Sequence, residues 1–206
     1  MTARLHILGR KEAREAVDRV FGDPGRRILS PVAVVSISGD EPPPRQLVAL
    51  GVPLLGLQFD DVPRDLPDHR YRAASREQIE HLLAWWSSVQ PIDGDVIVHC
   101  AAGISRSSAC ALALLAASRR NPPDDLDATV ARLCVLDLLA SVHATEQAGL
   151  RDDLGIRPNP RIVWLADQIL GWRGHLLAAV EDVFAMRGLW VDLGEEPPAG
   201  WPGRAA

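Results

Sequence analysis

Apolar and polar positions change period along the chain, and each change marks an element. Residues 5–9, LHILG, read as a short strand, and RKEAREAVDRVFG reads as a helix ending at Gly22. RILSPVAVVSIS, 27–38, is a β-rich run stopped by Gly39 and the EPPP breaker. VPLLGLQFDDV, 52–62, is a third strand candidate that closes in an acidic loop with Pro63 and Pro67. From Ser75, the spacing of Ile79, Leu82, Leu83 and Trp86 predicts a helix laid on a core, ended by Pro91 and Gly94. DVIVHC, 95–100, is a strand of buried type, followed after Ser105 by an alanine- and leucine-rich helix to about Arg119.

Beyond that point the pattern is helical throughout. DDLDATVARLCVLDLLA, 124–140, places Leu126, Val130, Leu133 and Cys134 on one predicted stripe. NPRIVWLADQILG opens with Asn159 as N-cap and Pro160 at the first helical position. A last helix is predicted in RGHLLAAVEDVFAMRG, 173–188. The remainder, 189–206, is a Pro/Gly-rich tail in which Trp190 and Trp201 are the residues able to dock. Strands and helices alternate early and helices collect late. The expected fold is therefore α/β, a small mostly parallel central sheet flanked by helices with a helix-rich C-terminal third. It is read as one domain over 1–188 plus the tail.

Composition narrows the function classes. A chain of 206 residues with 47% hydrophobic residues can bury a sizeable core. A formal net charge of -5 offers no electrostatic footprint for nucleic acid or an anionic membrane. The longest apolar run, ACALALLAA, is too short to span a bilayer, and the N-terminus lacks a signal-peptide pattern, so a cytoplasmic location is expected. Cys100, Cys110 and Cys134 show neither a disulfide framework nor zinc spacing. His6, His69, His81, His143 and His175 are scattered without metal-ligand spacing, so neither a metal nor another cofactor is expected. The oligomeric state is left open.

The chemistry concentrates in VIVHCAAGISRSSAC, 96–110. Ala101, Ala102, Gly103, Ile104 and Ser105 separate Cys100 from Arg106, at the junction of a strand and a helix. Small residues there let successive backbone N–H groups turn inward as an anion nest reinforced by the helix N-terminus. Gly103 permits the sharp turn. Arg106 can grip two phosphate oxygens with its planar fork, which a lysine could not. The same field favours a thiolate at Cys100, a nucleophile aimed at phosphorus. His99 is placed to orient the loop, or is simply a satisfied core histidine. Ser107 can donate a hydrogen bond to the sulfur. GISRS lacks the final glycine of a hydrolase nucleophile elbow.

HCAAGISRS is similar to the HCxxGxxRS signature of the cysteine-based protein tyrosine phosphatases, matching at His99, Cys100, Gly103, Arg106 and Ser107. The likeness is to small bacterial dual-specificity-like members, and at motif level it spans roughly Leu54 to Gly171. The resemblance implies a dual-specificity-phosphatase-like fold, a Cys100 nucleophile, an Arg106 clamp and an aspartate acid on a preceding loop. In GLQFDDVPRD it puts Asp61 in that role with Asp60 beside it, and Asp65 and Asp68 ranked lower. It implies hydrolysis of phosphorylated protein side chains, including phosphotyrosine, or of small phosphoesters. The chain departs from tyrosine-specific members in lacking their pocket-deepening lysine-asparagine-arginine-tyrosine segment. Its loop also lacks the lysines of inositol-polyphosphate members. Two rival readings are a catalytically weak phosphate-binding pseudophosphatase and a rhodanese-type sulfur carrier. Cys110 and Cys134 read as core, with a regulatory disulfide to Cys100 as the alternative for Cys110. Asn159 reads as a helix cap, with a place near the attacking water as the alternative.

Overall fold

In the computed structural model the described residues are 3–22, 29, 31–64, 70–90, 93–119, 127–150 and 155–186. Among them four strands form one parallel sheet: β1 (Ala3–Gly9), β2 (Pro31–Ser38), β3 (Leu54–Gln58) and β4 (Gly94–Cys100), in the order β1-β4-β2-β3. The helices are α1 (Arg10–Gly22), α2 (Arg45–Val48), α3 (Arg76–Val89), α4 (Arg106–Ser118), α5 (Asp127–Gln147), α6 (Pro160–Leu170) and α7 (His175–Met186). The sheet is wholly parallel among the described residues; β1, β2 and β4 are buried over most of their length on both faces and read as near-continuous apolar runs, whereas the edge strand β3 alternates buried and exposed.

Strand alternation sends one set of side chains to each face. Val96, Val98, Ile7, Val35 and Ile37 face the main core with α3 to α7. Leu8, Val34 and Ile97 face a smaller core under α1 and α2. β4 is central, paired with β1 through Gly9↔Cys100 and with β2 through Ser36↔His99. The signature segment thus leaves the middle of the sheet at its C-terminal edge, where parallel α/β sheets place their sites.

Helix ends gather at the same edge. Ser75 and Gln78 close a capping box on α3, and Gln78 Nε2 also donates to the carbonyl of Gln58 at the end of β3 (2.7 Å). Asn159 caps α6, accepting from the amides of Arg161 (3.1 Å) and Ile162 (3.4 Å), with Pro160 in the first turn as the sequence predicts.

The predicted stripe of α5 is corrected by the structure. Leu133 is 45% exposed, and the buried side carries Ala131, Cys134, Val135, Leu138 and Val142. α5 packs against β1, α4 and α7, and small Ala131 and Cys134 let those elements approach closely, which turns Leu133 and Leu136 outward. The helix also runs on to Gln147, past the expected end at 140. By length and composition Ala128–Gln147 is apolar enough to cross a membrane. The sequence reading by uninterrupted apolar runs missed this because Arg132 and Asp137 break the run. The predicted Leu126, Pro67 and Pro91, and the tail with Trp190 and Trp201, lie outside the described residues.

Candidate active site

Cys100 ends β4 and is 3% exposed. Residues 101–105 then form the turn into α4. The carbonyls of this turn are held from outside. Ala101 O accepts from Arg10 N (3.0 Å), Ile104 O from Arg157 N (3.0 Å) and Ser108 Oγ (2.5 Å), and Ser105 O from Asn159 N (3.2 Å). In a trans peptide the N–H opposes the C=O, so the amides of Ala102, Ser105 and Arg106 turn toward the inside of the loop. The loop is thus braced from α1, α4 and the segment before α6.

Gly103 has φ +73°, and a Cβ there would stand 2.4 Å from Gly9 N and 2.5 Å from the carbonyl carbon of Leu8. Only glycine fits both the left-handed backbone and the close approach of β1. Gly103→Ala is accordingly expected to cost at least about 2 kcal/mol in urea unfolding and to remove phosphate binding. A variant within about 0.5 kcal/mol of wild type would show that this approach is not needed.

Arg106 is 9% exposed. Its Nη1 donates to the carbonyl of Phe59 (2.9 Å), while Nε is buried with no protein partner. The fork is thus fixed at one corner and keeps one buried donor, Nε, without a protein partner. Ser107 Oγ lies 3.2 Å from Cys100 Sγ, within hydrogen-bond range of the sulfur. Ser105 is the residue before α4 but does not cap it. Its hydroxyl donates instead to Asp61 Oδ1 (2.6 Å), which leaves the first-turn amides of α4 uncapped by side chains.

Asp61 and Asp60, adjacent in sequence, do different things. Asp61 Oδ1 accepts from both Ser105 Oγ and Asn159 Nδ2 (2.8 Å), so its carboxylate is tied to the loop itself. Asp60 is a clamp for its own segment: its amide donates to Arg72 O (2.7 Å), and Oδ2 accepts from Arg72 N (2.8 Å). Arg72 in turn pairs with Asp40. Asp65 and Asp68 lie outside the described residues. Sequence reasoning missed four parts of this arrangement: Ser105 as a partner of Asp61, the direct reach of Asn159, the Phe59 carbonyl, and the β1–α1 junction behind the loop. Gly9 followed directly by Arg10 at a helix start was the one visible trace of the last.

His99 is fully buried, with Nδ1 3.5 Å from the carbonyl oxygen of Cys100. Burial brings its pKa down to about 4, with the nearby Arg10 cation adding to the fall and the Cys100 carbonyl opposing it. A histidine that titrates at 6.5 unfolded and about 4 folded binds fewer protons in the native state between those values. Its stabilising contribution is complete above 6.5 and is lost as pH falls toward 4. Urea midpoints measured across that window should fall on acidification, and His99→Gln should flatten the dependence.

Cys110 and Cys134 are buried free thiols. Burial pushes both above the ordinary thiol range, Cys134 to about 11, so both are core residues with little thiolate character.

No family model matches the chain, and no curated protein sequence does. Solved structures are similar in overall arrangement. Human DUSP28 is 20% identical, with 89% of this chain and 95% of that one covered and a TM-score of 0.47. The Yvh1 phosphatase domain from Chaetomium thermophilum is 18% identical, covering 91% and 94%, with a TM-score of 0.49. OH1 from the Orf virus, described as a tyrosine phosphatase, is 15% identical, covering 82% and 83%, with a TM-score of 0.49.

Proposed function

We propose that the chain is a phosphomonoester hydrolase of the cysteine-based protein tyrosine phosphatase superfamily, of dual-specificity type. The observation that carries this reading is one loop holding a cysteine at its base, a buried arginine donor without a protein partner, and a carboxylate tied to its rim. Phosphorylated protein side chains are the leading substrate class and small phosphoesters the second.

In this reading the phosphate seats in the nest, with Arg106 Nε and the inward amides on its non-bridging oxygens. Cys100 Sγ attacks phosphorus, the phosphorus–oxygen ester bond breaks, and the protonated Asp61 gives its proton to the leaving oxygen. The product is a cysteinyl-phosphate and a free alcohol or phenol. Asp61, now a carboxylate, takes a proton from water as that water attacks phosphorus. The sulfur leaves as thiolate, stabilised by Ser107, and inorganic phosphate departs. No metal enters either step.

The tie from Ser105 to Asp61 supports Asp61 over Asp60 as the acid, because Asp60 is spent on Arg72. The same tie argues against a pseudophosphatase, which gains weight only when neither aspartate reaches the loop. Asp61→Asn is expected to slow hydrolysis of phenyl phosphate by on the order of 10²-fold, and p-nitrophenyl phosphate much less, because the better leaving group needs no proton. An equal loss on both substrates, or this pattern in Asp60→Asn instead, would overturn the assignment.

A further inference from the structure

Behind the loop, the mechanism leaves two buried polar atoms unused. His99 Nε2 has no hydrogen-bond partner, and neither has Ser36 Oγ, on a residue 1% exposed. The two residues are register partners on β4 and β2. Partners in a parallel ladder project to the same face, here the one shared with Val34 and Ile97 under α1. Neighbouring strands run about 4.8 Å apart, and the two atoms make no direct hydrogen bond, so the link open to them is one buried water between the side chains. In an otherwise apolar face, two unpaired polar atoms on register partners each cost about 1–3 kcal/mol unless a shared water satisfies both.

The ring chemistry sets the direction of that link. A neutral imidazole has one N–H and one acceptor nitrogen. The Cys100 carbonyl can only accept, so the Nδ1 contact is a hydrogen bond only when Nδ1 carries the proton. Nε2 is then the acceptor and needs a donor. Arg10, whose charge acts on His99, is occupied elsewhere, with Glu41 (3.1 Å) and the Pro42 carbonyl (2.9 Å). The Ser36 hydroxyl remains.

We propose that Ser36 is a positioning residue: its hydroxyl, through one buried water, supplies the hydrogen bond to His99 Nε2, fixes the Nδ1–H tautomer, and so holds the Cys100 peptide at the base of the loop. The effect on rate rests on the phosphatase reading above, whereas the tautomer does not.

The test is a ¹⁵N-imidazole spectrum of the full chain, with His99 assigned by its loss in His99→Gln, alongside kinetics on p-nitrophenyl phosphate. Wild type should show His99 as a single Nδ1–H tautomer near neutral pH. Ser36→Ala should mix the tautomers and lower kcat about tenfold, the rate equivalent of one buried hydrogen bond, with KM within about twofold. Ser36→Thr keeps the hydroxyl and should retain both properties. If Ser36→Ala does not fold, Ser36→Cys, a weaker donor of similar shape, takes its place. An Nε2–H tautomer in wild type, or an unchanged tautomer without the hydroxyl, overturns the proposal. Loss of the tautomer in a protein with no Cys100-dependent turnover would sink the phosphatase reading and leave the positioning role standing.

Discussion

Replacing Cys100 by serine is expected to lower kcat for p-nitrophenyl phosphate by on the order of 10⁴-fold or more, while phosphate and vanadate still bind. The two halves of this result have separate physical causes. A serine hydroxyl is a far weaker nucleophile and a poorer leaving group than a cysteine sulfur, so the variant cannot carry the phosphoryl group at a useful rate. The cradle, however, does not depend on the sulfur. Its carbonyls are held by Arg10, Arg157 and Asn159, and its sharp turn by the close approach of Gly103 to Gly9. Vanadate affinity measured by competition or calorimetry should therefore stay within a few-fold of wild type. Equal turnover in the variant would remove Cys100 from the mechanism, and lost binding would mean that the thiol also builds the loop.

Arg106→Lys should lower kcat/KM by about 10²- to 10³-fold and weaken phosphate binding in parallel. The arginine does two things at once. One corner of the fork donates to the Phe59 carbonyl, immediately before Asp60 and Asp61, and the buried Nε is left for the oxyanion. A lysine ammonium is a single point donor and cannot span both positions. The variant thus loses either the grip on phosphate or the tie to the acid-bearing segment. A loss smaller than about threefold would contradict a clamp built on the planar fork.

The site was legible where chemistry is local in sequence and hidden where it depends on distant partners. Strand, loop and helix over 95–119 follow from period and small residues alone, and the structure places them so. The Asn159-Pro160 pair announces a helix start, and α6 begins there. Nothing in that pair says what the amide end of Asn159 does. Its oxygen caps the helix while its nitrogen reaches a carboxylate 98 positions earlier. Likewise Ser105 looks like an N-cap, but Asp61 competes for its hydroxyl and wins, because the loop brings that carboxylate within 2.6 Å.

Helix α5 was misread for a different reason. Its apolar residues surround much of the helix, so no single stripe is marked, and the buried side is selected by how closely β1, α4 and α7 approach. Small residues win that contest, and Leu133 is displaced to the surface. Ser36 had a visible signal that was not used: a single hydroxyl inside the apolar run VAVVSI of a strand buried on both faces.

In the proposed mechanism the Cys100 sulfur bonds to phosphorus during turnover. Its most direct test is to mix enzyme with p-nitrophenyl phosphate, quench within the first turnovers in alkaline denaturant, and map phosphate adducts by mass spectrometry of the peptides. A phosphate adduct is expected on Cys100, formed as fast as the first p-nitrophenolate and absent in Cys100→Ser. Turnover with no adduct, or with an adduct on another residue, would contradict it.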